Sequence, residues 1–298
     1  MTPAGRFAPS PSGELHVGNL RTAVLAWLFA RSSGRTFLLR VEDLDRARAG
    51  AEAKQLRDLA AIGIDWDGDV VHQTDRGQLY AAAITQLTAS GLTYECFCTR
   101  RAIQEAPSAP HAPQGAYPGT CRNLSTAQRA AKRALRPAAI RLRSGVTEAS
   151  ISDLLHGPYA GVVDDFVLRR NDGVMAYNLA VVVDDAAQGV DQVVRGDDLL
   201  PSTPRQAYLA SLLNIPVPEY AHVPLVLNAA GARLAKRDGA VTLADLSDAG
   251  IGVHRVRDAL LGSLGLPPGT LQQALAAFDP ADLPRVPWIW TGMAGRDA

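Results

Sequence analysis

Hydrophobic and polar residues follow two alternating rhythms along this chain, and the first change of rhythm comes early. Apolar Phe7 and Ala8 read as the end of a first strand, and the prolines and glycine of Pro9-Ser10-Pro11-Ser12-Gly13 force a turn. Leu20 to Ala30 is then rich in Ala, Leu and Trp at helical spacing. The order is strand, loop, helix. In a doubly wound parallel sheet the loop after the first strand lies at the carboxyl edge, where the next helix offers unpaired backbone N–H groups to an anion. His16, Gly18 and Asn19 stand in that loop, so a nucleotide site is expected there.

Glu52 to Leu59 continues as a helix, and Ile62-Gly63-Ile64-Asp65-Trp66 reads as a glycine stop followed by a short strand. Arg76 to Ala89 is another helix, with Leu79, Ala83 and Leu87 as its core-facing stripe. Leu92 to Phe97 is a short strand that delivers Cys96 and Cys98 into a loop thick with proline and alanine, from Ala106 to Pro118. Asn171-Asp172-Gly173, between Phe166–Arg170 and Val174–Leu179, is a hairpin signal, because such a turn needs residues that accept positive φ. Val190 to Arg195 reads as a buried strand, and Thr203 to Leu213 as a helix capped by Ser202 or Thr203. Val223 to Leu227 is the last expected strand and Val253 to Leu264 the last expected helix; the proline-rich tail carries little periodic signal.

Composition narrows the class. With 47% hydrophobic and 20% charged residues the chain is an ordinary globular protein, not a disordered one. Met1 to Arg6 lacks the apolar core of a signal peptide and no run is long enough to span a bilayer, so a cytoplasmic location is expected. The 30 basic residues balance the 30 acidic ones, so a nucleic-acid surface must come from local segregation. One stretch offers it: Arg122, Arg129, Lys132, Arg133, Arg136, Arg141 and Arg143 follow one another with no acidic residue between them. A phosphate contact and a solvated helix face both fit. Cys96, Cys98 and Cys121 form an odd, crowded set that suits tetrahedral zinc better than disulfides, and ordinary ligand preferences nominate His111 for the fourth corner.

Pro9 to Asn19 resembles the HIGH region of class I aminoacyl-tRNA synthetases, and with Arg40-Val41-Glu42-Asp43-Leu44-Asp45 it resembles the glutamyl branch in particular. Far downstream, Arg233-Leu234-Ala235-Lys236-Arg237 stands in the place of the class's KMSKS loop, about two hundred residues later. Asn19 replaces the second histidine of the first motif, and Arg233, Ala235 and Arg237 depart from the second. The resemblance implies an α/β fold with a Rossmann-type doubly wound parallel sheet. The expected division is a first catalytic half at 1–91, a zinc-containing insertion with the basic segment at 92–163, a second catalytic half at 164–240 and a short mainly helical segment at 241–298.

Its chemistry would be attack of a glutamate carboxylate on the α-phosphorus of ATP, where the protein supplies position and positive charge and the nucleotide brings Mg²⁺. His16 and Lys236 are the catalytic candidates, with Gly18, Asn19 and Arg237 beside them at the nucleotide. The resemblance further implies that Arg6, Ala8 and Ser10 line the L-glutamate site, that Glu42 meets the ammonium group, and that Tyr177 and Arg195 close it. Short relatives of glutamyl synthetase that modify queuosine carry a Cys-x-Cys, Tyr-x-x-x-Cys zinc site, which implies Cys96, Cys98, Tyr117 and Cys121 as ligands. Because the chain stops about sixty residues after its lysine motif, no anticodon-reading domain is expected. A monomer that docks the anticodon stem-loop of tRNA(Asp) is expected instead, with glutamate esterified to queuosine. The alternatives are a truncated enzyme charging the 3′ end of tRNA(Glu) and a non-catalytic nucleotide-binding module. Retention of His16, Glu42 and Lys236 speaks against the last.

Overall fold

The computed structural model describes residues 2–104, 117–234 and 241–293. The first part of the chain alternates β1 (Ala4–Phe7), α1 (Val17–Ser32), β2 (Thr36–Val41), α2 (Ala51–Ile62), β3 (Val71–His72) and α3 (Gly77–Ala89). There follow β4 (Thr93–Cys96), α4 (Arg100–Gln104), α5 (Thr126–Arg133), β5 (Ala139–Leu142), β6 (Glu148–Asp153), β7 (Gly157–Val162) and β8 (Val167–Arg169). Next come α6 (Tyr177–Ala187), β9 (Val190–Gly196), α7 (Thr203–Leu212), β10 (Glu219–Val223) and β11 (Val226–Leu227). The last elements are α8 (Leu243–Asp248), α9 (Val253–Gly262), α10 (Leu271–Ala276) and β12 (Trp288–Ile289).

Seven strands make one sheet in the order β3, β2, β1, β9, β10, β6, β7. Every pairing from β3 to β6 is parallel, and β7 closes the edge antiparallel to β6. From β1 the chain winds outward to β2 and β3, then returns to lay β9 on the other side of β1. That reversal between β1 and β9 is the switch point at which such sheets open a crevice beyond their carboxyl ends.

Helix α1 is buried on nearly every face, from Leu20 through Ala30, because it runs between this sheet and the C-terminal helices. Phe29 meets Phe278 edge-on at 5.4 Å. The C-terminal segment is therefore part of the main core. Its tail, with little periodicity of its own, supplies β12, which pairs in parallel with β11 and buries Trp290. Val223 to Leu227 consequently splits into the end of β10 and β11, and β11 is not the last strand.

Three other local expectations change. In α3 the buried stripe is Tyr80, Ala83 and Leu87, and Leu79 is exposed. Spacing of three then four holds a stripe together, whereas two steps of four drift about 80° round the helix. Gly63 ends α2 in the left-handed conformation as expected, but Ile64–Trp66 is not a strand. Side chains pin it instead: Asp65 accepts from the Trp27 indole at 2.6 Å, and Asp67 accepts from the Phe37 amide at 2.8 Å. The Asn171–Gly173 turn forms, with Arg170 N–H donating to Val174, but the returning arm is a single bridge from Arg169 to Met175. Tyr177 then starts helix α6, because Leu179, Ala180 and Val183 are buried among α3 and α7.

Nor do the sheets divide at 163/164. Strands β6 and β7 belong to the large sheet, while β8 joins β4 and β5 in a three-stranded antiparallel sheet that supports the cysteines.

Candidate functional site

A cavity of about 620 Å³ opens at the carboxyl ends of β1 and β9. It gathers Arg6, Ala8 and Ser10 from the end of β1, His16, Gly18 and Asn19 from the start of α1, Glu42 after β2, Tyr177 at the start of α6 and Arg195 in β9. Arg233 and Leu234 lie at its lip; Lys236 and Arg237 fall outside the described residues.

The start of α1 differs from the open anion site that a strand–loop–helix suggests. His16 is its N-cap, and its Nδ1 accepts from the amides of Gly18 (3.0 Å) and Asn19 (3.3 Å). Asn19 Oδ1 returns a bond to the His16 amide at 3.1 Å. The Val17 amide donates to Val241 and the Leu20 amide to His16 itself. Every first-turn N–H is thus already bonded, and what the helix start presents is an imidazole. Since Nδ1 is an acceptor, the ring proton sits on Nε2. Burial, and then the charge of Arg233, hold His16 below the ordinary histidine range, so the ring is neutral. At Gly18 a Cβ would come within 2.9 Å of the imidazole, so glycine lets the ring fold back over the helix.

Beside it lies a buried ionic cluster. Arg6 Nε donates to Asp185 Oδ1 at 3.2 Å, and the fully buried Arg40 donates to the same oxygen at 2.8 Å. Glu42 meets Arg40 at 3.5 Å. Asp184, with no exposure, accepts from Arg76, Gln73 and the Tyr80 hydroxyl. Three arginines (6, 40, 76) face three carboxylates (42, 184, 185), so the cluster is balanced, as buried charges must be. Burial opposes the charge of Arg40, yet Asp185, Glu42 and Asp184 hold it protonated. Burial likewise pushes the Glu42 carboxyl up, against the pull of Arg40 and Arg6. Arg6 Nη1 reaches the Val194 carbonyl at 3.4 Å, and Nη2 has no partner among the described residues. Asp184, Asp185, Arg40 and Gln55 escaped the sequence reading. Gln55, buried in α2, donates to the carbonyls of Ser10 and Gly13 and so fixes the loop after β1.

The cysteines converge as well. The sulfurs of Cys96, Cys98 and Cys121 lie within 4.8 Å of one another, with Cys98 and Cys121 at 3.6 Å. The Tyr117 hydroxyl lies 3.3 Å from Cys96 Sγ and 3.6 Å from Cys98 Sγ. A tetrahedral zinc with bonds of about 2.0–2.3 Å sets its corner atoms roughly 3.5–3.8 Å apart, so the four atoms fit one ion. The guanidinium of Arg141 covers the Tyr117 ring at 3.7 Å. His111 falls outside the described residues.

The basic segment proves largely structural. Arg122 pairs with Asp165 and donates to the Ser144 carbonyl, Arg141 donates to the Asp165 carbonyl, Arg143 donates to the Arg122 carbonyl, and Arg133 pairs with Glu95. Arg129, Lys132 and Arg136 remain toward solvent.

Residues 4–275 match the family model of the catalytic domain of class I tRNA synthetases (E and Q). The chain is 70% identical over 289 residues to a glutamyl-Q tRNA(Asp) synthetase of Nocardia farcinica, covering 97% of this chain and 93% of that one. It is 55% identical to one of Cutibacterium acnes, covering 89% and 76%. Among solved structures, a glutamate tRNA ligase from Elizabethkingia meningosepticum in complex with its amino acid superposes with a TM-score of 0.83 at 25% identity, over 97% of this chain and 67% of that one.

Proposed function

The chain belongs to the class I tRNA synthetase (E and Q) family, and from that footing we propose that it activates L-glutamate with ATP and transfers the glutamyl group to queuosine in the anticodon loop of tRNA(Asp). The observation that carries this reading is the convergence of Arg6, Glu42, Tyr177 and Arg195 with His16 in one crevice, in a chain 70% identical to a glutamyl-Q tRNA(Asp) synthetase along nearly its whole length.

In activation the glutamate carboxylate attacks the α-phosphorus and pyrophosphate leaves. Charge develops on phosphate oxygens, where the Nε2–H of neutral His16 donates without drawing on the acid–base state of the medium. Lys236, a flexible ammonium, follows the leaving pyrophosphate, and Arg237 assists it. A queuosine hydroxyl then attacks the adenylate carbonyl and AMP departs. Arg6 offers its outer nitrogen to the side-chain carboxylate, Glu42 takes the ammonium group, and Tyr177 and Arg195 close the site. Ala8 and Ser10 form its floor, and Gly18 and Asn19 meet the nucleotide. Zinc held by Cys96, Cys98, Tyr117 and Cys121 would be structural, its four positions closed by protein. The protein acts as a cytoplasmic monomer on the anticodon stem-loop; among the described residues no helix is long and apolar enough to cross a membrane.

Transfer of labelled glutamate is the test, with tRNA(Asp) bearing queuosine, tRNA(Asp) lacking it, and tRNA(Glu). Label confined to the anticodon fragment of the first supports the reading; label on the 3′ end of tRNA(Glu) replaces it with ordinary charging. A Lys236→Ala variant should lose pyrophosphate exchange by roughly 10²-fold or more; undiminished exchange removes Lys236 from catalysis.

Two further results follow. Unfolded His16 gains a proton near pH 6.5 while the folded ring resists it, so the unfolded state binds more protons and stability falls as pH drops through that value. Exchange should accordingly be flat across neutral pH, with its acid limb below about 6.5; a limb above 7 would mean that His16 works as imidazolium. Metal analysis should find one zinc per chain, retained in His111→Ala and weakened in Tyr117→Phe. The reverse pattern would make His111 the fourth ligand.

A further inference from the structure

Behind Arg195 lies a buried pair that the mechanism above does not use. Asp153, at the end of β6, and His222, in β10, are 2% and 0% exposed. Asp153 accepts from the His222 ring Nδ1 at 2.6 Å, and from the amides of His222, Leu155 and His156 at 3.1, 2.9 and 3.0 Å. A carboxylate surrounded by four N–H groups stays ionised and can only accept. The His222 proton is therefore on Nδ1, and Nε2 carries the lone pair.

That lone pair accepts from Arg195 Nε at 3.0 Å. Arg195 Nη2 donates to Thr203 Oγ1 at 2.8 Å and to Gln206 Oε1 at 2.7 Å, both buried on α7. Gln206 passes its amide to Asn178, next to Tyr177, at 2.9 Å. With Nε and Nη2 bound inward, Nη1 is the nitrogen of Arg195 without a partner among the described residues, and Arg195 lines the crevice.

We propose that Asp153 and His222 are a positioning pair for Arg195: the carboxylate fixes the imidazole tautomer, the imidazole fixes the guanidinium, and Nη1 is left for the substrate. Neither residue touches glutamate. The inference rests on Arg195 meeting glutamate, as proposed above.

In the full chain, Asp153→Asn keeps the shape but can donate its own N–H to Nδ1. The ring then moves its proton to Nε2, where it opposes the N–H of Arg195, as a wrong tautomer does in a catalytic triad. The KM for glutamate in pyrophosphate exchange should rise roughly ten- to a hundredfold, the value of a hydrogen bond to a charged group, while the KM for ATP is unchanged. His222→Gln, whose amide oxygen can still accept from Arg195, should recover most of what His222→Leu loses. Nitrogen-15 NMR of the histidine-labelled wild type should report His222 as the Nδ1–H tautomer at neutral pH, which keeps the inference open to test if a variant fails to fold. An unchanged glutamate KM in Asp153→Asn, or an Nε2–H or imidazolium signature in the wild type, overturns it. A wild type without glutamate-dependent exchange overturns the functional reading as well, so the two failures are distinct.

Discussion

Arg6→Met should raise the KM for glutamate at least a hundredfold and lower the thermal midpoint by about 6–10 °C. The first effect follows from removing the cation that Nη2 presents to a side-chain carboxylate; a buried charged hydrogen bond is worth about 1.5–3 kcal/mol, and its loss leaves the substrate carboxylate desolvated beside Asp185 and Glu42. The second follows from charge balance. Arg6 is 4% exposed, and its departure leaves Glu42, Asp184 and Asp185 against Arg40 and Arg76. Breaking one partner out of such a buried network costs about 3–5 kcal/mol, and each kcal/mol is on the order of 2 °C in a chain of this size. Two further variants separate the effects. Arg6→Lys keeps the charge and most of the stability, but an ammonium cannot hold Asp185 and the substrate in one planar fork, so the glutamate KM stays high. Arg6→Met with Asp185→Asn should regain stability without regaining glutamate. Normal glutamate kinetics in Arg6→Met would take Arg6 out of the amino-acid site.

His16→Asn should reduce the rate of pyrophosphate exchange by roughly 10²- to 10³-fold with little change in thermal midpoint. His16 performs two tasks with its two nitrogens: Nδ1 caps α1 by accepting from Gly18 and Asn19, and Nε2–H faces the crevice. Asparagine is a good N-cap, so it preserves the first task. It lacks the second donor at the reach of Nε2, and losing one preorganised donor to a developing oxyanion costs about 10²- to 10³-fold. His16→Ala loses both tasks and should add about 1 kcal/mol of destabilisation, on the order of 2 °C. Scanning calorimetry alongside exchange kinetics separates the two nitrogens. If His16→Asn keeps its rate and His16→Ala loses it, the histidine is a helix cap and nothing more.

What the sequence determined by itself is what neighbours in the chain decide. The break after Phe7, the start of α1, the left-handed stop at Gly63 and the turn at Asn171–Gly173 depend on the steric freedom of a few adjacent residues, and they are legible as motifs. The spacing of Cys96, Cys98, Tyr117 and Cys121 was legible for the same reason: a strand end and a short return set all four atoms. The glutamate-site candidates could be named from motifs, but what neutralises them could not. Arg6 finds Asp185 across 179 positions, Arg40 finds it across 145, and Asp153 finds His222 across 69. No periodicity marks a carboxylate that is buried because a distant arginine is buried beside it. The same physics turned the basic segment inward, since Arg122 and Arg141 stack and bond beneath Asp165 instead of facing solvent. It also closed the start of α1, where the Val17 amide is taken by Val241 from the far end of the chain. Local torsional preference is written residue by residue, whereas the pairing of buried charge depends on which strands the sheet makes adjacent, and only the tertiary structure decided that.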